Sequence, residues 1–298
     1  MEYRLLGKSD LEISRISLGC MSLNPNEESE SVQIIHKAID LGINFFDTAD
    51  VYFKGQNEEM LGKAVKDHRK EIFIATKVGN VLRADDSGFD WNPGKAHILQ
   101  SVDESLRRLQ TDYIDLYQLH GGTIEDPIDE TIEAFELLKA QGKIRYYGIS
   151  SIRPNVIKAY VAKSNIVSVM MQYSLLDRRP EESMFDLLSG NEIGILARGS
   201  LAQGLLTGKA PKAYLGHTHE GAAAAIKVVK TLSGNVSNQP ETALGFVLKN
   251  KAITSAETGV SRIDQMKQIV TVSGKSLSEN EYKKLSTTIP ALTYTDHL

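Results

Sequence analysis

Short apolar runs alternate along the 298-residue chain with segments in which apolar residues recur every three or four positions. Uninterrupted short apolar runs are typical of strands buried on both faces, and the longer spacing is typical of amphipathic helices. In the first helical segment Val32, Ile35, Ala38 and Ile39 share one face, and Gly42 ends it. The pattern therefore predicts repeated strand–helix units.

Eight such units can be assigned, with no strand-to-strand hairpin expected between them. The predicted strands cover residues 16–19, 44–47, 72–77, 114–120, 146–150, 167–172, 193–197 and 252–255. The helices that follow them cover residues 31–41, 58–66, 98–109, 130–141, 158–163, 182–188, 240–249 and 263–272. Strands joined by helices form a parallel sheet covered by helices.

Eight units in just under 300 residues favour an α/β fold of the closed (β/α)8 TIM-barrel type over an open doubly wound sheet. Segments 3–6 and 12–15 are predicted to form a hairpin that plugs one barrel end, and residues 278–287 an extra C-terminal helix. Neither a Pro-, Gly- or Ser-rich linker nor a low-complexity segment interrupts the chain, which favours one domain over residues 1–298.

Two long connections, 80–95 and 207–238, are expected to shape a substrate pocket. Trp91 in the first could line that pocket or anchor its own loop. His217 and His219 in the second lie two residues apart, but no Cys or carboxylate set at ligand spacing accompanies them. They are interpreted as exposed loop residues, and no metal site is predicted.

Composition narrows the class of protein. The formal net charge is −4 with Lys and Arg spread along the chain, which argues against binding nucleic acid or a membrane surface. No apolar run approaches bilayer length, and MEYRLLGKSD at the start carries charges where a signal peptide is apolar. Cys20 is the only cysteine, so no intramolecular disulfide can form. Together these features predict a cytoplasmic location.

Three successive predicted strands end in a titratable side chain, namely Asp47, Lys77 and His120. In a parallel barrel these ends meet at one face, and a buried charge needs a partner, so the three groups should meet each other or a ligand. A structural Asp47–Lys77 ion pair beside a rim histidine is the alternative. The functional interpretation is favoured because three neighbouring strands carry the groups and Tyr52 follows just downstream.

The chain resembles the aldo-keto reductase family along nearly its whole length. The resemblance is carried, in the family's order, by YRLLGKSDLEISRISLGCMSL, GINFFDTADVYFKGQNEEMLGKAVK, IFIATKVG, SLRRLQTDYIDLYQLH, QGKIRYYGISS, MMQYSLLDRR and SLAQGLLTGK. It implies an NADP(H)-dependent oxidoreductase that reduces a small-molecule aldehyde or ketone to an alcohol, with a monomer as the family default.

The resemblance also implies a catalytic tetrad of Asp47, Tyr52, Lys77 and His120. Tyr52 would donate a proton to the carbonyl oxygen, although the ordinary pKa of a tyrosine is about 10. The Lys77 ammonium would favour the phenolate, and Asp47 would hold that ammonium in place. His120 would orient the substrate oxygen through a hydrogen bond.

No G-x-G-x-x-G follows a strand, so the dinucleotide fingerprint of the doubly wound fold is absent. The resemblance implies NADP(H) extended across the barrel mouth. It assigns Ser150 and Gln172 to the nicotinamide carboxamide, and Leu201 and Gln203 to the pyrophosphate. In the segment GVSRIDQMKQ it assigns the adenosine end of the cofactor to Gly259, Ser261, Arg262, Gln265 and Gln268. Arg262 beside the 2′-phosphate would favour NADP(H) over NAD(H). An ordinary helix start with a solvated arginine is the alternative interpretation of the same segment.

The chain departs from the family pattern at four places, none of which is expected to touch the tetrad. Glu257-Thr258 replaces Ile-Pro, and Ser151 replaces Asn. Gln268 and Ile269 stand where a carboxylate and Asn commonly read adenine, and Arg198-Gly199 stands where an aromatic ring often stacks on the nicotinamide. A guanidinium can stack on a ring, but oxidised nicotinamide would repel it.

Two other classes of function stay open beside the enzyme. The first is a cofactor-binding regulatory subunit on the same fold, which an exposed apolar partner surface would favour. The second is a metal-dependent barrel hydrolase that uses Asp47, Lys77 and His120. It would require more His and carboxylate ligands at strand ends than the chain offers.

Overall fold

The computed structural model describes residues 1–270 and 277–298. Its strands are β1 Tyr3–Leu5, β2 Glu12–Ser14, β3 Ile16–Gly19, β4 Phe45–Asp47, β5 Phe73–Val78, β6 Asn80–Leu82, β7 Phe89–Trp91, β8 Ile114–Leu119, β9 Ile144–Ser150, β10 Ser168–Gln172, β11 Gly194–Arg198 and β12 Ile253–Thr258. Its helices are α1 Glu28–Asp40, α2 Gln56–Ala64, α3 Lys95–Leu109, α4 Ile128–Ala140, α5 Pro154–Lys163, α6 Met184–Gly190, α7 His219–Ser233, α8 Gln239–Lys249, α9 Ile263–Val270 and α10 Glu279–Ser286.

Eight of these strands form a closed parallel barrel in the order β3-β4-β5-β8-β9-β10-β11-β12, with β12 pairing back onto β3. Strand β8 is buried at all six positions because one face lies inside the barrel and the other lies under helices. The predicted (β/α)8 fold is confirmed, as are the N-terminal hairpin and the extra C-terminal helix α10.

The antiparallel hairpin β1–β2 closes the barrel end at which the strands begin. Leu6, Leu11 and Ile13 are fully buried there against side chains of the barrel interior. Gly7 has a φ of +57°, and a side chain at this position would overlap the carbonyl oxygen of Val167. The tight approach of the plug to the barrel therefore requires glycine.

The long connections contain elements that the hydrophobic pattern did not predict. Strands β6 and β7 form an antiparallel hairpin inside the third unit, between β5 and α3, whereas the eight barrel strands are parallel to one another as predicted. Three-residue strands are too short to show an alternation. Residues 219–233, inside the long connection 207–238, form α7, and Ala222 and Val229 lie on its buried face. His217 is buried rather than exposed, because its backbone pairs with Tyr214.

The remaining elements differ from the prediction at their ends. Helix α5 begins at Pro154, four residues before the predicted start, because proline suits the first helical position. Helix α9 is described as far as Val270, and the last two residues of the predicted helix 263–272 lie outside the described residues. No helix in the described ranges combines the length and apolar character that crossing a bilayer demands.

Candidate active site

A cleft of about 1650 Å³ opens at the barrel end where the strands finish. Of the residues predicted for the site, only Asp47 does not line this cleft; it is buried and contacts Lys77. The others all line it: Tyr52, Lys77, His120, Ser150, Gln172, Arg198, Gly199, Leu201, Gln203, Gly259, Ser261, Arg262, Gln265 and Gln268. The barrel thus brings together side chains that are widely separated in the sequence.

The floor of the cleft is a buried ion pair between Lys77 and Asp47, both 1% exposed. Lys77 Nζ also donates to the carbonyl oxygen of Thr48 at 2.7 Å and to the Tyr52 hydroxyl at 3.3 Å. Asp47 Oδ1 accepts a hydrogen bond from Gln118 Nε2 at 3.0 Å. The adjacent parallel strands β4, β5 and β8 supply Asp47, Lys77 and Gln118, which explains why these side chains meet.

Tyr52 is carried over Lys77 by a tight turn that follows β4. Residues Tyr52–Gly55 form a 3-10 turn in which Phe53 and Lys54 have φ angles of 48° and 57°. Lys77 Nζ lies 4.9 Å from the centre of the Tyr52 ring. Burial raises the pKa of Tyr52 and outweighs the opposite effect of the Lys77 ammonium. The Lys77 ammonium lowers the pKa of Tyr52, as expected, but burial raises it more, so the phenol is protonated at neutral pH.

His120 directly follows β8 and faces Tyr52 edge-on, with the ring centres 5.9 Å apart. Burial, together with the nearby charges of Lys77 and Arg198, lowers the pKa of His120 to about 3. Its Nδ1 atom is buried and has no hydrogen-bond partner within residues 1–270 and 277–298. At neutral pH this side chain is therefore an uncharged imidazole with one N–H to donate.

Glu257 is the functional neighbour that sequence reasoning missed. It lies on β12 with its carboxyl group beside Gly19, which pairs with Asp47, and the two carboxyl groups shift each other's pKa, so the expectation that this position leaves the tetrad untouched is wrong. Burial and the charge of Asp47 raise the pKa of Glu257 to about 8. Burial also raises the pKa of Asp47, against the attraction of Lys77. A carboxylate two residues after the last predicted strand, 252–255, was the available signal.

The rest of the cleft has the groups that a dinucleotide requires. Gly199 and Gly259 leave space at the wall: a Cβ on Gly199 would lie 3.2 Å from Gln172 Cγ, and one on Gly259 would overlap the Ser22 hydroxyl. Exposed Lys209, which the sequence analysis did not single out, supplies a cation suited to phosphate. These features fit a dinucleotide cofactor bound along the cleft.

The predicted phosphate-binding residues already contact one another. Gln265 Oε1 accepts from the backbone N–H of Ser261 at 2.9 Å and from its hydroxyl at 3.4 Å. Exposed Arg262 pairs with Asp264, with Nε 3.1 Å from Oδ1. A bound phosphate would therefore compete with Asp264 for the guanidinium. Elsewhere in the cleft lining, Gln172 Nε2 donates to the Tyr214 hydroxyl at 3.0 Å.

The side of the cleft near β7 is apolar. Trp91 lines the cleft and also donates from Nε1 to Asp126 Oδ2 at 3.0 Å, so it both faces the pocket and anchors its own segment. Met21, Phe89 and Ile152 also line the cleft and are exposed. In the described ranges, no group of three or more His, Cys, Asp or Glu side chains is arranged to hold a metal ion.

Comparison with known proteins gives one consistent result. The sequence model of the aldo/keto reductase family matches residues 15–289. The uncharacterized oxidoreductase YqkF of Bacillus subtilis (strain 168) is 50% identical over 96% of this chain and 95% of its own. The aldo-keto reductase yakc [NADP(+)] of Schizosaccharomyces pombe is 35% identical over 66% of this chain and 60% of its own. The structure of aldo-keto reductase AKR11C1 from Bacillus halodurans (holo form) superposes with a TM-score of 0.94 and 46% identity, covering 100% of this chain and 99% of that one.

Proposed function

The chain belongs to the aldo/keto reductase family of oxidoreductases, and from that premise we propose that it reduces aldehydes or ketones to alcohols with NADPH, with Tyr52 as the proton donor. The observation that carries the proposal is the arrangement at the cleft floor. There, a protonated tyrosine lies within 3.3 Å of a buried ammonium and edge-on to a neutral histidine.

Each side chain of this arrangement has a task in carbonyl reduction. When bound, the reduced nicotinamide supplies a hydride to the carbonyl carbon. Tyr52 gives its proton to the carbonyl oxygen, and Lys77 stabilises the negative charge that grows on the phenol oxygen. Asp47 and the Thr48 carbonyl hold the ammonium in position. His120 donates a hydrogen bond to the substrate oxygen and stays neutral, because its pKa is about 3.

NADP(H) is the proposed cofactor. Ser150 and Gln172 would hold the carboxamide, and Leu201 and Gln203 with Lys209 would lie along the pyrophosphate. Arg198 and Gly199 would lie against the nicotinamide. The adenosine end would be held by Gly259, Ser261, Arg262, Gln265 and Gln268. The name of the fission yeast relative includes NADP(+), which supports this choice. The substrate as a small carbonyl compound, the monomeric state and the cytoplasmic location stay predictions.

The test measures turnover and cofactor binding separately. Purified protein is assayed for NADPH consumption with a panel of small aldehydes and ketones, and NADPH affinity is measured by fluorescence. Tyr52→Phe should lower kcat by about 100- to 10,000-fold, the usual contribution of a general acid, with little change in NADPH affinity.

Tyr113→Phe is the matched control, because it also removes a tyrosine hydroxyl but lies outside the cleft lining. Turnover of Tyr52→Phe near that of the wild type would remove Tyr52 from the acid role. Tight NADPH binding without any carbonyl reduction by the wild type would support the regulatory-subunit alternative instead.

A further inference from the structure

Glu257 brings a second carboxyl group to the buried ion pair. It lies on β12, where it pairs in register with Ser17 of the neighbouring strand β3. Two residues further along β3, Gly19 leaves room for the carboxyl group, since a Cβ there would lie only 2.6 Å from Glu257 Oε1. Gly19 itself pairs in register with Asp47 of β4, so the Glu257 carboxyl group in this space lies beside the Asp47 position.

Two neighbouring carboxyl groups can hydrogen-bond each other only if one of them keeps a proton, because carboxylate oxygens only accept. Asp47 already accepts from Lys77 Nζ and from Gln118 Nε2. Glu257 Oε2 is buried and has no hydrogen-bond donor among the described residues. One ammonium would therefore face two carboxylates if both were ionised. Since an uncompensated buried charge is costly, one carboxyl group keeps its proton.

We propose that Glu257 and Asp47 share a single proton at neutral pH, and that loss of this proton to solvent at higher pH weakens Tyr52 as a proton donor. Glu257 is thus a positioning residue that acts on the reaction through Asp47 and Lys77. With the proton present, the Asp47 and Lys77 charges balance. Without it, the second carboxylate raises the pKa of Tyr52 further, and the phenol yields its proton less readily.

The surroundings of Glu257 have opposing effects on the pKa of its carboxyl group. Burial and the Asp47 charge favour the protonated carboxyl, whereas Lys77 on β5 and Arg198 on β11 favour the ionised form. The Cys20 thiol after β3 is buried with a raised pKa, and Tyr52 is protonated, so neither brings a charge at neutral pH. The balance leaves the pKa of Glu257 at about 8, within the range of an ordinary pH profile.

Glu257→Gln separates the charge from the packing, because the amide has the size of the acid, donates to Asp47 and never ionises. The experiment measures the pH dependence of kcat/KM for carbonyl reduction. It therefore rests on the proposed function. In the wild type the protonated fraction falls roughly tenfold between about pH 7 and about pH 9, and kcat/KM should fall with it. The Glu257→Gln profile should lack this fall, and so should that of Glu257→Leu, which keeps the position uncharged if the amide perturbs folding.

Infrared spectroscopy of the protein without substrate tests the shared proton independently of turnover. Asp50 is another buried carboxyl group whose pKa is about 8, so it would contribute to the protonated-carboxyl band. The Asp50→Asn variant removes that contribution. This variant should retain a carboxyl band that disappears as the pH is raised through about 8, and adding Glu257→Gln should abolish it.

The outcomes distinguish the two proposals. Absence of the band from Asp50→Asn at neutral pH would overturn the shared proton whether or not the protein reduces carbonyls. Tyr52-dependent reduction with superimposable wild-type and Glu257→Gln profiles would overturn the pH coupling and leave the proposed function intact. Failure to reduce any carbonyl, with the band present, would count against the proposed function alone.

Discussion

Burial sets the protonation of the single residues at the cleft floor, and neighbouring charges then adjust it. Tyr52 keeps its proton although an ammonium lies 3.3 Å away, and His120 stays neutral because it is buried beside two cations. Both shifts suit carbonyl reduction, in which the phenol gives a proton and the imidazole only donates a hydrogen bond. These side chains therefore have the protonation states that the proposed carbonyl reduction requires.

The proposed preference for NADPH over NADH depends on one residue, Arg262. Arg262→Ala should weaken NADPH binding about tenfold and leave NADH binding nearly unchanged, because only NADPH has a 2′-phosphate for the guanidinium. The measurement is the dissociation constant of each reduced cofactor by fluorescence titration. Lys267→Ala is the matched control, since this exposed cation lies on helix α9, which begins directly after Arg262, but outside the cleft lining. Equal wild-type affinities for the two cofactors would contradict the assignment of Arg262.

The elements around the site are tied together by a buried carboxylate on helix α2. Glu58 accepts from Thr76 Oγ1 at 2.6 Å and from Arg108 Nε at 2.6 Å. It thereby joins α2 to strand β5, which carries Lys77, and to helix α3. The position of β5, and of Lys77 on it, thus depends on how closely α2 and α3 pack.

Gly62 on α2 is the closest point of that packing. A Cβ at this position would overlap the backbone carbonyl of Leu109, which cannot move without shifting the end of α3. Gly62→Ala should lower the free energy of unfolding by about 1–3 kcal/mol, more than the ~1 kcal/mol gained in helix propensity. Chemical denaturation measures the change.

Gly190→Ala at the end of α6 is the control for Gly62→Ala, because nothing lies within 4 Å of its Cβ position. This control should alter the unfolding free energy by less than about 1 kcal/mol. Two variants of equal stability would show that α2 and α3 are not in close contact at Gly62.

In the molecule as a whole, the two ends of the barrel differ in their side chains and in their role. The hairpin plug fills the end where strands begin, and the cleft with its titratable groups lies at the end where strands finish. Because the hydrophobic plug fills the opposite end of the barrel from the titratable groups, changes in it should affect stability more than the chemistry.

Leu11→Ala tests this division. Leu11 is fully buried in the plug, so the substitution should cost about 2–5 kcal/mol of unfolding free energy while kcat per folded molecule stays near that of the wild type. Leu5→Ala in the same hairpin is the control, because Leu5 is 58% exposed and should cost little. Thermal unfolding and the carbonyl-reduction assay give the two quantities. A large loss of kcat at unchanged stability would show that the plug communicates with the cleft.

The sequence by itself determined the order of strands and helices, the barrel class and the plug, because these depend on periodicities that are local to each segment. It also placed Asp47, Lys77 and His120 at the ends of successive strands, which makes them neighbours in any parallel barrel. The hairpin β6–β7 was not predicted because three-residue strands are too short to show a periodic pattern. Helix α7 was missed although Ala222, Ala225 and Val229 on its buried face recur at helical spacing.

Only the tertiary structure decided which distant groups interact and how each titrates. Glu257 meets Asp47 because barrel closure sets the last strand beside the first, and no local pattern encodes that contact. The protonation of Tyr52, His120 and Glu257 depends on removal from water, and burial is a property of all the packed elements together. The residue types are therefore encoded locally, whereas their proton affinities arise only when the barrel closes around them.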